Sequence, residues 1–550
     1  MLYILIKIKK KRHRYVWGKK RLKKIVDDSF GKNPLDGYLY YNAQQRLNNV
    51  KRLHSAVSGI VDGEWKVDDI TWDDLEMDQV FLRINHTNSF IGEQTLYHKL
   101  HLLDKGTAPE KIDRLEQRLA CLKENPKARL DIETQMNYIG KHDEGYYLPE
   151  FLLNTDMWKL GNTRLYHVLQ VLLIIDFVGC TVFNNIISIA GLVCIALINL
   201  MIYLFSKQKY EVYFNSLADF KRIYDFVKWM EVKDREHNIF VTDDVRNSIH
   251  RLRRMSRVIF GMNERRQASM TGDVVAILRE YIWGILLIDV STFNHIMRII
   301  DDKQENVLLL LDFVGEIDSD ISILSYRESV SEWCKPEFVQ NEFTVEGIAH
   351  PLIKNPVRND FKLLNRAIIT GANASGKSTF MKAIAINSIM AQTINTCMAK
   401  KVILQPMQII TCMSLRDDIL TGESYYFREA KYLKRMLDVI EKDASALIVV
   451  DEILKGTNTK ERVAASKAIL DYIGNANCLA LVATHDQELT KSRFYEDYHF
   501  RSKIQEKDIV FDYIIYKGTS EESNAIALLS YMGYPETIVK DAEVNMNANR

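Results

Sequence analysis

Eight consecutive residues in this 550-residue sequence have the types and spacing to hold a phosphate chain: Gly371-Ala372-Asn373-Ala374-Ser375-Gly376-Lys377-Ser378, followed by Thr379. They fit G-x-x-x-x-G-K-[ST]. Glycines let backbone N–H groups turn inward and approach a pyrophosphate closely. A helix starting there adds the positive end of its dipole. Lys377 would reach the β- and γ-phosphates, and Ser378 would give its hydroxyl to Mg²⁺. A chance glycine-rich turn is the plain alternative. The full match between a strand-like Ile368–Thr370 and a helix-like Thr379–Met390 argues against it.

Two further stretches carry chemistry of the same kind. Ala446-Leu-Ile-Val-Val450 is a continuous apolar run, as a strand buried on both faces requires, and it ends in Asp451-Glu452. In such sheets ligands bind where strands leave the sheet. Asp451 would hold Mg²⁺, and Glu452 would orient and deprotonate the water that attacks the terminal phosphate. Two carboxylates are needed because one committed to a metal is a poor base. A second apolar run, Cys478–Ala483, ends in Thr484-His485. A histidine there can donate a hydrogen bond to the γ-phosphate and so sense it, whereas a lone histidine is more often structural. Thr421-Gly422-Glu423-Ser424 before the helical stretch Tyr425–Ile440 is a further anion-ready helix start, and Gly456–Thr459 is a polar turn. In isolation both signals are weak.

From Glu346 to the C-terminus, runs of strand and helix character alternate, the pattern of an α/β domain. Upstream, Tyr38–Val61 and Leu75–Gly92 show helical apolar spacing, and Lys207–Val345 reads as long helices. Leu165–Phe183 and Ile186–Phe205 are apolar stretches separated by Asn184-Asn185, each near the roughly 20 residues that cross a hydrocarbon core. The first carries His167, Gln170 and Asp176, and the second Asn199. A mid-membrane Asp costs about 2.5–3.5 kcal/mol, which the surrounding apolar residues offset. Asp176 is expected to face into the hairpin. Lys159 and Arg164 flank one end, Lys207 and Lys209 the other, so the positive-inside rule puts both ends in the cytoplasm. The alternative is a buried hairpin in a soluble core, with the protein cytoplasmic.

The 73 basic and 72 acidic residues balance, so net charge selects no partner, and 47% hydrophobic content is ample for several cores. From Lys7 to Lys24 about every second residue is Lys or Arg, suited to lipid or DNA phosphates or merely to solvent. Arg246, Arg251, Arg253, Arg254, Arg257, Arg265 and Arg266 form a second basic stretch. It could contact a nucleic-acid backbone or be the wet face of an amphipathic helix. The seven cysteines include no C-x-x-C pair, which argues against a zinc site or a disulfide framework and suits a reducing compartment. Met1–Ile6 is too short for a signal-peptide core.

Taken together, Gly371–Thr379, Gly422–Glu429, Asp451–Thr459 and Ala483–His485 resemble the MutS family of DNA mismatch-repair ATPases, a branch of the ABC-type superfamily. His350-Pro351, Asn355-Pro356 and Tyr531–Pro535 look like further landmarks of it. Leu75–Gly92 resembles the start of the family's core domain, and Trp333–Phe338 the end of its lever helices. The resemblance implies composite ATP sites in a homodimer, with Ser424 acting in trans, Asn373 in the nucleotide loop and Asn458 in a turn that communicates across the dimer. It also implies DNA as a partner. The stretch before residue 68 reads as too short for the family's mismatch-reading domain, and no domain is expected after the ATPase. Phe427-Arg-Glu429 and Phe494-Tyr-Glu496 share the letters of the family's Phe-x-Glu wedge but lie inside the ATPase domain.

The expected organisation is therefore a basic segment (1–35), a helical core-like domain (36–160), a transmembrane hairpin (161–206), a helical lever region (207–345) and an α/β P-loop, ABC-type ATPase domain (346–550). The expected function is a dimeric, Mg²⁺-dependent ATP hydrolase that binds DNA through its Arg-rich lever, in DNA mismatch repair or in recognition of a DNA structure, at the cytoplasmic face of the membrane. The competing expectation is an ABC-type ATPase coupled to a membrane process, with no DNA role.

Overall fold

The computed structural model describes residues 20–548 except 37, 59–64, 106–108, 155–159, 184–185, 237–238, 271–273, 373–374, 414–424, 443–444, 455–458, 487, 506–507, 520–525, 527–528 and 530–531. The helical part comprises α1 (Tyr38–Val57), α2 (Asp69–Asp74), α3 (Met77–Ile84), α4 (Phe90–His101), α5 (Pro109–Glu124), α6 (Pro126–Ile139), α7 (Thr163–Phe183), α8 (Ile186–Lys233), α9 (Asp243–Met270), α10 (Val274–Ile285), α11 (Ile288–Asp302) and α12 (Gln304–Glu328). Strands and helices then alternate: β1 (Phe343–Ile348), β2 (Asn359–Lys362), β3 (Arg366–Thr370), α13 (Lys377–Ile394), β4 (Lys401–Leu404), β5 (Gln408–Cys412), α14 (Tyr425–Glu441), β6 (Ala446–Asp451), α15 (Thr459–Asn475), β7 (Leu479–Ala483), β8 (Glu496–Gln505), β9 (Asp508–Lys517) and α16 (Glu536–Ala548).

The chain forms two compact units, and they are not linear in sequence. One comprises residues 1–61, 85–98 and 113–326; the other 62–84, 99–112 and 327–550. In the helical unit the buried carboxylate of Glu93 accepts from Lys141 Nζ (2.6 Å), Arg46 Nη2 (3.0 Å), Asn85 Nδ2 (3.0 Å) and the Tyr146 hydroxyl. Burial pushes this carboxyl up, but the Lys141 and Arg46 cations outweigh it and hold it at about 2.

Helices α7 and α8 contain the two apolar stretches, and residues 163–182 and 186–207 are long and apolar enough to cross a membrane, with only 11% of each window buried. Asp176 lies against Gly191 of α8, so it faces into the hairpin. Gln170 and Asn199 also have partners. Gln170 Nε2 donates to Leu286 O (2.9 Å), Leu287 O (3.2 Å) and Ser291 Oγ (3.1 Å), and Asn199 Nδ2 to Ile285 O (2.9 Å). These carbonyls lie where α10 ends and the chain turns through Leu287, at φ 52°, a helix end whose carbonyls look outside the helix for donors; Leu287 O also accepts from Ser291 N (3.1 Å). The boundary expected at 206/207 falls inside α8, which runs unbroken for 48 residues; no glycine or proline interrupts it after Gly191. In α9, Val245, Ile249, Leu252, Met255 and Ile259 are buried. Arg251, Arg253, Arg254 and Arg257 face outward.

The second unit is built on a six-stranded sheet in the order β9-β8-β3-β7-β6-β5. All neighbours are parallel except β8 and β9. The interior strand β6 has five consecutive buried residues, which accounts for the unbroken apolar run. A smaller sheet has the order Glu337–Phe338, β4, β1, β2. The edge strand β5 is covered by α2 and its flanks, a segment distant in sequence. Asp74 accepts from Thr411 Oγ1 (2.8 Å) and Met413 N (2.9 Å), Thr71 Oγ1 from Thr411 N (3.2 Å), and Arg435 reaches Asp68 at 2.6 Å. Covering an edge in this way removes a template for unwanted strand pairing.

Candidate active site

Strand register brings the motifs together. Ala483 of β7 pairs with Ile369 of β3 on one side and with Asp451 of β6 on the other. Gly371, Glu452 and His485 therefore leave the sheet at one level, at the carboxyl ends of three adjacent parallel strands. Thr484 N donates to Ile369 O (3.1 Å) and Glu452 N to Ala483 O (3.0 Å), which extends the pairing past the strand ends.

The loop from β3 to α13 requires its glycines. Gly371 has φ 145° and Gly376 φ 104°. A Cβ on Gly371 would come within 2.9 Å of Ser375 Oγ and 3.0 Å of Phe500 O, and one on Gly376 within 3.0 Å of the Tyr513 ring. Lys377 Nζ curls over the loop and donates to Gly371 O (2.8 Å) and Ala372 O (3.0 Å), with His485 Nε2 at 3.5 Å. The Ser378 hydroxyl donates to Asp451 Oδ2. Glu452 Oε1 lies 2.9 Å from His485 Nε2. Thr379 is in the first turn of α13, and Ala372 accepts from Ser375 N (3.2 Å). Asn373, Ala374, Ser424 and Asn458 lie outside the described residues. Gly371, Ala372, Ser375, Gly376, Lys377, Ser378, Thr379, Asp451, Glu452 and His485 are thus brought into one site.

Two observations bear on what fits here. The Ser375 hydroxyl is buried and makes no hydrogen bond, although buried polar groups are nearly always partnered; it sits inside the cradle that a Cβ at Gly371 would fill. The serine hydroxyl and aspartate carboxylate in contact are all-oxygen donors, the chemistry that suits a hard divalent cation such as Mg²⁺. The residues therefore fit a phosphate chain with its cation.

Beside the loop, a cavity of about 400 Å³ is lined by His350, Asn355, Pro356, Val357, Thr379 and Tyr513, among others. Burial lowers His350 to about 4, with the Lys382 cation reinforcing the shift, so the ring is neutral at physiological pH. Asn359 clasps the far wall: its Nδ2 donates to Tyr513 O (3.0 Å) and its Oδ1 accepts from Ile515 N (2.8 Å). Tyr513 is held at φ 56°. Asn359 and Tyr513 escape the sequence reading because nothing local marks them; His350, Asn355 and Pro356 stand in its landmark dipeptides.

An α/β domain with a glycine loop, an acidic strand end and a histidine on the adjacent strand is an ATPase-type domain, and residues 367–549 match the family model for MutS domain V. That match covers the C-terminal third of the chain. The chain is similar to the DNA mismatch repair protein MutS of Thermotoga petrophila, with 28% identity over 262 residues, 46% of this chain and 33% of that protein. The DNA mismatch repair protein MutS of Aquifex pyrophilus is 30% identical over 262 residues, covering 44% and 30% respectively. MutS protein homolog 4 of Homo sapiens is 28% identical over 274 residues, covering 46% and 29%. The match spans about a third of the length of these relatives.

Proposed function

We propose that this protein is a MutS-like, Mg²⁺-dependent ATP hydrolase that works as a homodimer, binds DNA, and is held at the cytoplasmic face of a membrane by α7 and α8. The observation that carries the ATPase reading is the convergence of Lys377, the Ser378–Asp451 pair and the Glu452–His485 pair at one end of the sheet. The cavity lined by His350, Val357 and Tyr513 would take the adenine base. Magnesium held by Ser378 and Asp451 would screen the phosphate charge. Lys377 exchanges its loop carbonyls for phosphate oxygens. Glu452 accepts the proton of the attacking water, while His485 orients that carboxylate and donates to the terminal phosphate. By family likeness, Ser424 of a second copy completes the site and Asn458 relays its state.

DNA binding rests on that likeness and on the outward row Arg251, Arg253, Arg254 and Arg257. Filter binding with duplex, mismatched and branched DNA across a salt series tests it. The expected result is ATP-sensitive affinity that falls steeply with salt; salt-independent or absent binding removes the DNA role. A second reading, an ATPase serving a membrane process without DNA, is favoured by one observation: Ile186, Ile187 and Phe205 are 79%, 74% and 76% exposed. Partners recovered from solubilised membranes separate the two, because repair proteins support the first reading and transport or envelope proteins the second.

A further inference from the structure

Cys334 and Cys397 stand 63 positions apart in the sequence, yet they form an isolated antiparallel bridge. Each donates its backbone N–H to the other's carbonyl, both at 2.9 Å. A reciprocal pair of this kind places the two Cα atoms about 5.5 Å apart, inside the usual disulfide range of about 4.4–6.8 Å. The approach is fixed by more than the cysteines. Arg327 Nε donates to Thr396 Oγ1 and Nη2 to Asn395 O, both at 2.9 Å, and its guanidinium stacks 4.4 Å over Trp333. The segment before Cys334 is thereby clasped to the one before Cys397, and little entropy remains to be lost on joining the sulfurs.

The two thiols differ in ways that assign roles. Cys334 is half-buried, whereas Cys397 is fully buried, with Sγ 3.7 Å from Asn387 O on α13. The neighbouring Cys397 thiol lowers the Cys334 thiol, and burial pushes Cys397 up. The thiolate is the reactive form, so the accessible, more acidic Cys334 reacts first.

We propose that Cys334 and Cys397 are an oxidation site of this protein, closing an intramolecular disulfide on exposure to hydrogen peroxide. The Cys334 thiolate attacks a peroxide oxygen, the O–O bond breaks, and Cys334 becomes a sulfenic acid as one water leaves. The Cys397 sulfur then attacks Cys334 Sγ and displaces hydroxide, which takes the Cys397 proton and departs as the second water. Two thiols are oxidised by two electrons, one hydroperoxide is reduced, and a dithiol reverses the change. The new bond would tie the segment entering the sheet-containing unit to the end of α13, the helix that begins at the glycine loop.

The test uses the native full-length protein, treated with hydrogen peroxide, blocked with an alkylating reagent and mapped by peptide mass spectrometry. The expected product is a dithiothreitol-reversible crosslink between the peptides bearing Cys334 and Cys397. Cys334 ending as a sulfinic acid, or paired with another cysteine, overturns the proposal. In a thermal melt, oxidation is expected to raise Tm by about 5 °C in the wild type and not in Cys334→Ser. An equal shift in both proteins also overturns it.

Discussion

Glu452 is held with φ 62° immediately after a regular strand. Non-glycine residues seldom adopt this region, and they concentrate where function fixes a side chain. The left-handed turn separates the Glu452 side chain from that of Asp451, so that Asp451 meets Ser378 and Glu452 meets His485. Gly371 is equally constrained, and Gly371→Ala is expected to weaken nucleotide binding at least about tenfold in calorimetry, because its Cβ would enter the cradle beside Ser375 and Phe500 and misplace the phosphate-binding amides. A second residue-scale prediction concerns pH. Burial pushes the Glu133 carboxyl up to about 8, with Arg129 partly opposing this. Its folded pKa exceeds the unfolded value, so its stabilising contribution is full below about pH 4.5 and is lost as pH rises through about 8. The helical unit should therefore lose stability between pH 5 and 8, with a slope of at most about 1.4 kcal/mol per pH unit from this group. Glu133→Gln should flatten that slope in denaturant titrations at both ends of the range; an unchanged slope would refute it.

Elements were legible in the sequence wherever the signal is local. The run Ala446–Val450 reads as a buried strand because a parallel strand covered on both faces admits no polar residue. The helix after the glycine loop follows from its apolar content. What was not legible depends on distant partners. Nothing in Asp68 to Asp74 announces that its carboxylates will meet Arg435, Thr411 and Met413, more than 300 residues away. Likewise Gln170 and Asn199 look like defects in apolar helices until the carbonyls of 285–287 are placed beside them, and Tyr513 gains a role only through Asn359. The docking of α2 on β5 yields its own prediction. Asp74 is 3% exposed, and Asp74→Ala leaves two buried donors without an acceptor, at about 1–3 kcal/mol each. Chemical denaturation should show the sheet-containing unit destabilised by a few kcal/mol. A loss below about 0.5 kcal/mol would mean that the edge is covered by something other than these bonds.

On the scale of the whole molecule, the apolar pair is a candidate membrane anchor that continues directly into a soluble-type helix. A helix of 48 residues spans about 72 Å, so the exposed apolar portion of α8 and its polar-flanked remainder form one rod. If α7 and α8 insert, the full-length protein should float with liposomes in a density gradient and resist carbonate extraction, and Ile189→Lys together with Ile198→Lys should abolish flotation at a cost of about 2.5–3.5 kcal/mol each. Wild-type protein that stays at the bottom of the gradient would make the hairpin a surface for protein contacts instead. Inserted or not, the catalytic account stands on the sheet-containing unit, and its most direct test is Glu452→Gln. Nucleotide turnover and sedimentation should be measured together with Mg²⁺ and radiolabelled ATP. The account predicts steady turnover by the wild type and at least about 100-fold slower turnover by the variant, which should still bind ATP and sediment as a dimer. Turnover equal to the wild type, or a variant that remains monomeric and free of nucleotide, would contradict it.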